Sequence, residues 1–244
     1  MKNFICVYDF ETDSADPNTC EPVQIASCII SPTTLEIVDN SEFSSFMRPE
    51  DIDEDSYYDE HRDTIRWHAK NYVDNFTELD AESQEEECNK IYLKWKSSPT
   101  QEQVFNEFAS YLSKYHTTQK RQSMFTAPIR AGHNIRSFDD VILFRKCKDF
   151  DLLNGKKTDV KIFHPRDSVD IKELAFLWFE SLSEPKAYNM DELRLFFGMS
   201  THGAHDALND IRDEALVIQK FLRLHRMTAA RVKFKGAMRE KVLA

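Results

Sequence analysis

The sequence predicts an α/β or α+β domain with a mixed central sheet flanked by helices. Three observations lead there. Strand-like apolar runs crowd the first 47 residues. Helical and short strand-like segments alternate from residue 98 onward. No internal repeat breaks the pattern.

Taken in order, residues 3–10 read as a mostly buried strand. Residues 23–31 and about 35–47 read as two more, joined at Ser31-Pro32-Thr33-Thr34 in an opening antiparallel meander. Segment 48–98 starts as an acidic loop and continues through Thr64–Asn75 into a polar helical stretch around Glu82–Lys96. It reads as a solvated insertion, with a lid or partner surface as the functional alternative. At Ser98-Pro99-Thr100-Gln101 the chain offers a serine N-cap, proline at the first helical position and glutamine at the third. Val104, Phe105, Phe108, Leu112 and Tyr115 then form one helical face. A short strand around Ile129–Gly132 leads to a helix from about Ser137 to Lys148. Val169-Asp170 ends another strand and enters a helix through Ser181. Met190–Phe197 is helical and stops near Gly198, and Ala204–Leu224 forms a long helix.

Apolar residues make up 41% of the 244, with 18 Phe, enough for a substantial core. No stretch approaches the roughly 18 apolar residues of a membrane span. The first apolar run is too short for a signal peptide, so a cytoplasmic protein is expected, with no membrane partner. Five cysteines without a C-x-x-C pair fit reduced thiols better than a disulfide frame or a zinc site; Cys6 and Cys28 read as core residues. The formal net charge of −10 argues against a nucleic-acid binder, but the charge is uneven. Residues 50–63 hold eight acids, whereas Lys220 to Lys241 hold eight Lys/Arg against Glu240 alone. The expected division is therefore a domain over 1–225, with the 48–98 insertion, and a basic tail over 226–244.

Three separated acidic motifs carry the chemistry. Asp9 and Glu11 lie two apart on a strand, so both side chains point to one face. Two such carboxylates repel unless a cation sits between them. In His133-Asn134-Ile135-Arg136-Ser137-Phe138-Asp139, a carboxylate opens a helix, where the backbone dipole favours it by about 0.3–1 kcal/mol. That placement suits Asp139 and Asp140 equally. In His205-Asp206-Ala207-Leu208-Asn209-Asp210, Asp210 shares an inward face with Ala207, Val217 and Phe221. Helix phase does not separate it from Asp206, Asp213 or Glu214. His205 has the titration range for taking a proton from water. Four carboxylates and one histidine are the raw material for metal-assisted phosphodiester hydrolysis, and oxygen donors select magnesium or manganese.

The set D-F-E-T, H-N-x-x-x-F-D and H-D-A-x-x-D resembles the DEDDh 3′→5′ exonucleases of the DnaQ-like (RNase H-like) superfamily. The run Gly203-Ala204-His205-Asp206-Ala207 is similar to the nuclease part of bacterial exonuclease I. The resemblance covers roughly residues 3–224 and implies an RNase H-like mixed sheet. It implies Asp9, Glu11, Asp139 and Asp210 as ligands of two Mg2+ (or Mn2+) ions and His205 as general base. It further implies Phe10 and Thr12 at the 3′-terminal nucleotide, Asn134 as support, and structural roles for Gln24 and Asp170. The expected partner is single-stranded nucleic acid, with DNA favoured over RNA. A protein partner would bind through 48–98 or the tail. The alternatives are an exoribonuclease or oligoribonuclease, an inactive accessory subunit that keeps the fold, and a structural metal-binding protein.

Overall fold

The apolar runs at the start become strands buried on both faces. In a computed structural model, which describes residues 3–118, 122–153, 160–200 and 207–232, β1 spans Ile5–Thr12 and β2 spans Pro22–Ile30. Every residue of β2 is buried, which is why it reads as a continuous rather than an alternating run. β1 and β2 pair antiparallel from Ile5–Ile30 to Glu11–Gln24. The third expected strand is shorter than 35–47: β3 is only Phe43–Phe46, because the chain reverses through Leu35 at φ 61. Before β3, Ile37 makes a lone bridge to Ile30. β4 (Ile129–Gly132) runs parallel to β1, and β5 (Ser168–Asp170) parallel to β4. The order β3-β2-β1-β4-β5 makes the sheet mixed, as the sequence predicts.

Segment 48–98 is not a solvated insertion. It folds into α1 (Tyr57–Glu60), α2 (Arg62–Tyr72) and α3 (Ala81–Lys96), with a 3-10 turn at Phe76–Glu78. These close on an apolar cluster of Ile52, Tyr57, Ile65, Phe76, Cys88 and Trp95 that reaches Val23 of β2. The acids that dominate its composition lie outside: Asp53, for instance, meets Arg48 and Lys96.

The next helix, α4, spans Gln101–Ser113, and its cap is two residues later than the sequence predicts. Thr100 Oγ accepts the Gln103 N–H, and Gln103 accepts the Thr100 N–H, a reciprocal box. Ser98 instead donates to Lys94 O at the end of α3, and the Pro99 carbonyl accepts the Arg48 N–H, which keeps that stretch extended. The remaining helices are α5 (Asp139–Asp149), α6 (Ile171–Phe179), α7 (Met190–Phe196) and α8, described over Ala207–Val232. Gly198 follows α7 at φ 66, the left-handed stop that glycine supplies without strain. α8 continues past the expected domain end at 225, so residues 226–232 of the basic tail are helical; 233–244 lie outside the described residues. No described helix is long and apolar enough to cross a membrane.

The sheet separates two cores. On one face Tyr8, Phe10 and Ile25 meet Phe105 and Phe108 of α4 and Ile142 of α5. On the other, Val7, Ala26 and Cys28 meet Ile211, Val217 and Phe221 of α8 and Ile171 of α6. All five cysteines are buried and free, so Cys6 and Cys28 are core residues as expected.

Candidate active site

β1 alternates, so Tyr8 and Phe10 face α4 and α5 while Asp9 faces α8. Three chain segments deliver carboxylates to the end of β1. Asp9 comes from the strand, Asp139 from the first residue of α5, and Asp210 from the first turn of α8. Their neighbourhood shows in their acidity. Burial and the facing Asp210 carboxylate push Asp9 up to about 7, against the pull of Arg194. Burial and Asp9 likewise push Asp139 well up, although its carboxylate accepts the Phe10 N–H at 3.0 Å.

The choice between Asp139 and Asp140 follows from their partners. Asp140 accepts the Tyr8 hydroxyl at 2.6 Å and stands 3.4 Å from Arg130 Nε. It is a buttress between α5 and the sheet. Asp139, 2% exposed, is the one among the acids. Asp140→Ala is expected to leave divalent-ion binding unchanged. It should cost about 1–3 kcal/mol of stability by stranding a buried hydroxyl. A Mn2+ titration beside a urea unfolding curve checks both.

Glu11 is buried at the 48–98 unit. His68 of α2 donates Nε2–H to Thr12 O at 2.9 Å, and its Nδ1 lies 4.0 Å from Glu11. Burial pushes His68 down to about 4, so at neutral pH this second contact is not an ion pair. Tyr57 donates to Asp13 at 3.0 Å just beyond the strand. The segment expected to be solvated thus braces the strand end that carries two of the acids.

Other expected residues are placed differently. The Phe10 ring lies in the core, stacked on Phe105 at 5.8 Å, so only its N–H reaches the site. The backbone of Phe10 thus lies beside the acids while its ring packs against α4. Thr12 donates to Ser14 O and accepts from His68. Asn134 sits at φ 56, a left-handed position asparagine tolerates, and Lys172 donates to its amide oxygen at 3.3 Å. Asp170 caps α6 and accepts the Asn134 and Arg136 N–H groups, and Gln24 is held between Ser44 and Tyr72. Both roles are structural, as expected. His205 and Asp206 lie outside the described residues.

One participant, Arg194, escapes the sequence reading; a second, Glu214, is one of the four acids that helix phase does not separate. Arg194 of α7, 2% exposed, donates to Asp210 at 2.5 Å, Asp213 at 2.8 Å and Asp191 at 3.0 Å. Burial disfavours its charge, but the three acids outweigh that and raise its pKa. Only the crowding of acids in 206–214 hinted that a cation must answer them. Glu214 lies one turn after Asp210 on α8, 4% exposed. Burial, then Asp9, Asp139 and Asp210, push its carboxyl well up, opposed by the His133 N–H. The helical wheel left Asp206, Asp210, Asp213 and Glu214 together; packing turns Asp213 to Arg194 and Glu214 to the acids.

Among the described residues, no three carboxylate, imidazole or thiol groups stand close enough to grip an ion. The donor chemistry nevertheless fits a hard divalent cation: the ligand set is all carboxylate oxygen, and its mutual repulsion is what a cation relieves. Along the same edge of the sheet, the 134–137 turn and α6 enclose a cleft of about 540 Å³. Arg136 and Lys172 line it beside Phe176, Leu177 and Tyr188, with Phe176 and Leu177 exposed.

No family model matches the sequence, and a search of curated proteins finds no match. Solved structures do match. The cell-death related nuclease CRN-4 superposes with a TM-score of 0.57 at 12% identity, over 91% of this chain and 64% of that one. E. coli exonuclease I in complex with a dT13 oligonucleotide gives 0.57 at 13% identity, over 96% and 43%. A 3′-exonuclease described in 3′-end recognition of a histone mRNA stem-loop gives 0.55 at 15%, over 91% and 82%. The chain spans under half the length of exonuclease I. What it shares with these nucleases is the RNase H-like α/β fold that its three acidic motifs imply.

Proposed function

We propose that this protein is a metal-dependent 3′→5′ exonuclease that releases nucleoside 5′-monophosphates from single-stranded nucleic acid, DNA before RNA. The observation that carries the reading is the convergence of Asp9, Asp139 and Asp210, from three distant motifs, at one strand end of a fold shared with exonucleases. Asp9, Glu11, Asp139 and Asp210 would hold the divalent ions. Two such ions, when bound, supply Lewis-acid activation of the attacking water and neutralise charge on the 3′ leaving oxygen. The chain does the rest. The Phe10 N–H fixes the Asp139 carboxylate. His205 accepts the proton of the water. The cleft beside the 134–137 turn supports a single-stranded substrate: Phe176 offers a face for base stacking, and Arg136 and Lys172 offer charge to the backbone. The fold is also compatible with an accessory subunit that no longer cleaves, which the same experiment detects.

The test uses 5′-labelled and 3′-labelled single-stranded DNA and RNA with Mg2+ or Mn2+, products sized to one nucleotide. The 5′-labelled strand should shorten in single steps, and the 3′ label should leave as a mononucleotide. His205→Asn should lower turnover by about 10²–10⁴, with metal affinity retained. Internal cuts, shortening from the 5′ end, or no cleavage of any strand would overturn the reading.

A further inference from the structure

Among the described residues, Glu214 is a buried carboxylate outside the four acids matched to the motifs, with one oxygen that no hydrogen bond fills. Glu214 is 4% exposed, and its Oε2 accepts no hydrogen bond among the described residues. A buried carboxylate with an idle oxygen is costly unless something compensates it. Two lysine or arginine partners would be the ordinary compensation. Arg194, a buried guanidinium, is committed instead to Asp191, Asp210 and Asp213. Meanwhile the groups that Glu214 feels most strongly are Asp9, Asp139 and Asp210.

The fold makes room for it. Gly132 ends β4 beside the acids, and a Cβ there would stand 3.3 Å from Glu214 Oε2 and 2.9 Å from Tyr8 O, besides striking Ile135. With no side chain at Gly132, Ile135, the Tyr8 carbonyl and the glutamate of α8 pack close against the end of β4. The His133 N–H then holds the carboxylate from the β4 side. Position, burial and an unfilled acceptor therefore place Glu214 between α8 and the end of β4, aimed at the acids.

We propose that Glu214 is a fifth carboxylate of the metal centre and raises its affinity for divalent ions. This rests on the metal-dependent reading above but assigns a residue outside its three motifs. Its oxygen is of the same hard type as the other donors and suits the same ions. With one α8 turn between them, Asp210 and Glu214 present two carboxylates from a single helix face. Arg194 donates to Asp210, so a cation already competes for that carboxylate, and the charge of Glu214 offsets it.

The experiment measures Mn2+ binding by calorimetry and by electron paramagnetic resonance, for the full chain and for Glu214→Gln and Glu214→Asp. Glutamine keeps the shape and the acceptor for His133 and removes only the charge. Glu214→Gln is expected to weaken Mn2+ binding by about 10–100-fold, the range found when partners of metal ligands are lost. Its melting temperature without metal should be no lower than that of the wild type. Glu214→Asp, which keeps the charge, should retain more affinity than Glu214→Gln. Unchanged Mn2+ affinity in Glu214→Gln, with the wild type binding, overturns the proposal and leaves Glu214 a packing residue. Absence of Mn2+ binding in the wild type itself overturns the metal-dependent reading as a whole, and Glu214's role with it.

Discussion

If the proposed metal-dependent nuclease reading holds, replacing Asp9 by asparagine should stabilise the metal-free protein while abolishing hydrolysis. Burial and Asp210 raise the Asp9 carboxyl to about 7, from roughly 3.9 in an unfolded chain. Between those values the folded state holds a proton that the unfolded state has released. The stability tied to Asp9 is therefore full below about pH 4 and is lost as pH rises through about 7. Asparagine carries no charge at either end. The gain of Asp9→Asn over the wild type should be negligible near pH 4 and reach a plateau, on the order of a few kcal/mol, by pH 8. Urea unfolding in the presence of a chelator at pH 4, 6 and 8 measures it. Added Mn2+ should reverse the order, because a ligand that binds only the folded state stabilises it by mass action and the variant would lack the proposed Asp9 donor. Activity should fall by more than the roughly 100-fold that loss of an outer partner can cause. Equal stability of the two proteins at pH 8 would show that Arg194 already neutralises the cluster.

Trp95→Ala should be the most destabilising single change outside the sheet. Trp95 is fully buried at the centre of the 48–98 cluster, its ring edge-on to His68 at 5.1 Å. Truncating a buried tryptophan costs about 3–5 kcal/mol. The consequence reaches the site, because His68 holds Thr12 O and Tyr57 holds Asp13 at the end of β1. Loosening α2 should therefore weaken Mn2+ binding as well as lower the melting temperature. Trp67, beside His68 on α2 but 43% exposed, is the control, and Trp67→Ala should cost much less. A Trp95→Ala protein that melts like the wild type would return 48–98 to a solvated appendage.

Much of the architecture was legible because it is local. β1 and β2 announced themselves as apolar runs, and the face Val104, Phe105, Phe108 and Leu112 is buried in α4 as its period requires. Asp9, Asp139 and Asp210 could be named because each sits in a short motif at the end of an element. The misreadings arose where a distant partner decides. The residue pattern points to Ser98 as the cap; Arg48, binding the Pro99 carbonyl, moves it to Thr100. The acids of 50–63 suggested a solvated loop, because composition counts the outward face and cannot see Trp95 and Ile65 closing inward.

By itself, then, the sequence determined the fold class, the strand and helix types, and the three motifs whose carboxylates meet. Each follows from hydrophobic period and from the geometry of one element. Only the tertiary structure decided which acids belong to the cluster and which to the frame. It gave Asp140 to Tyr8, Asp213 to Arg194 and Glu214 to the neighbourhood of the acids beside Gly132. These assignments join residues from 19 to 132 positions apart in the first two cases. A charge's partner is set by distance and burial, and neither exists until the chain has folded.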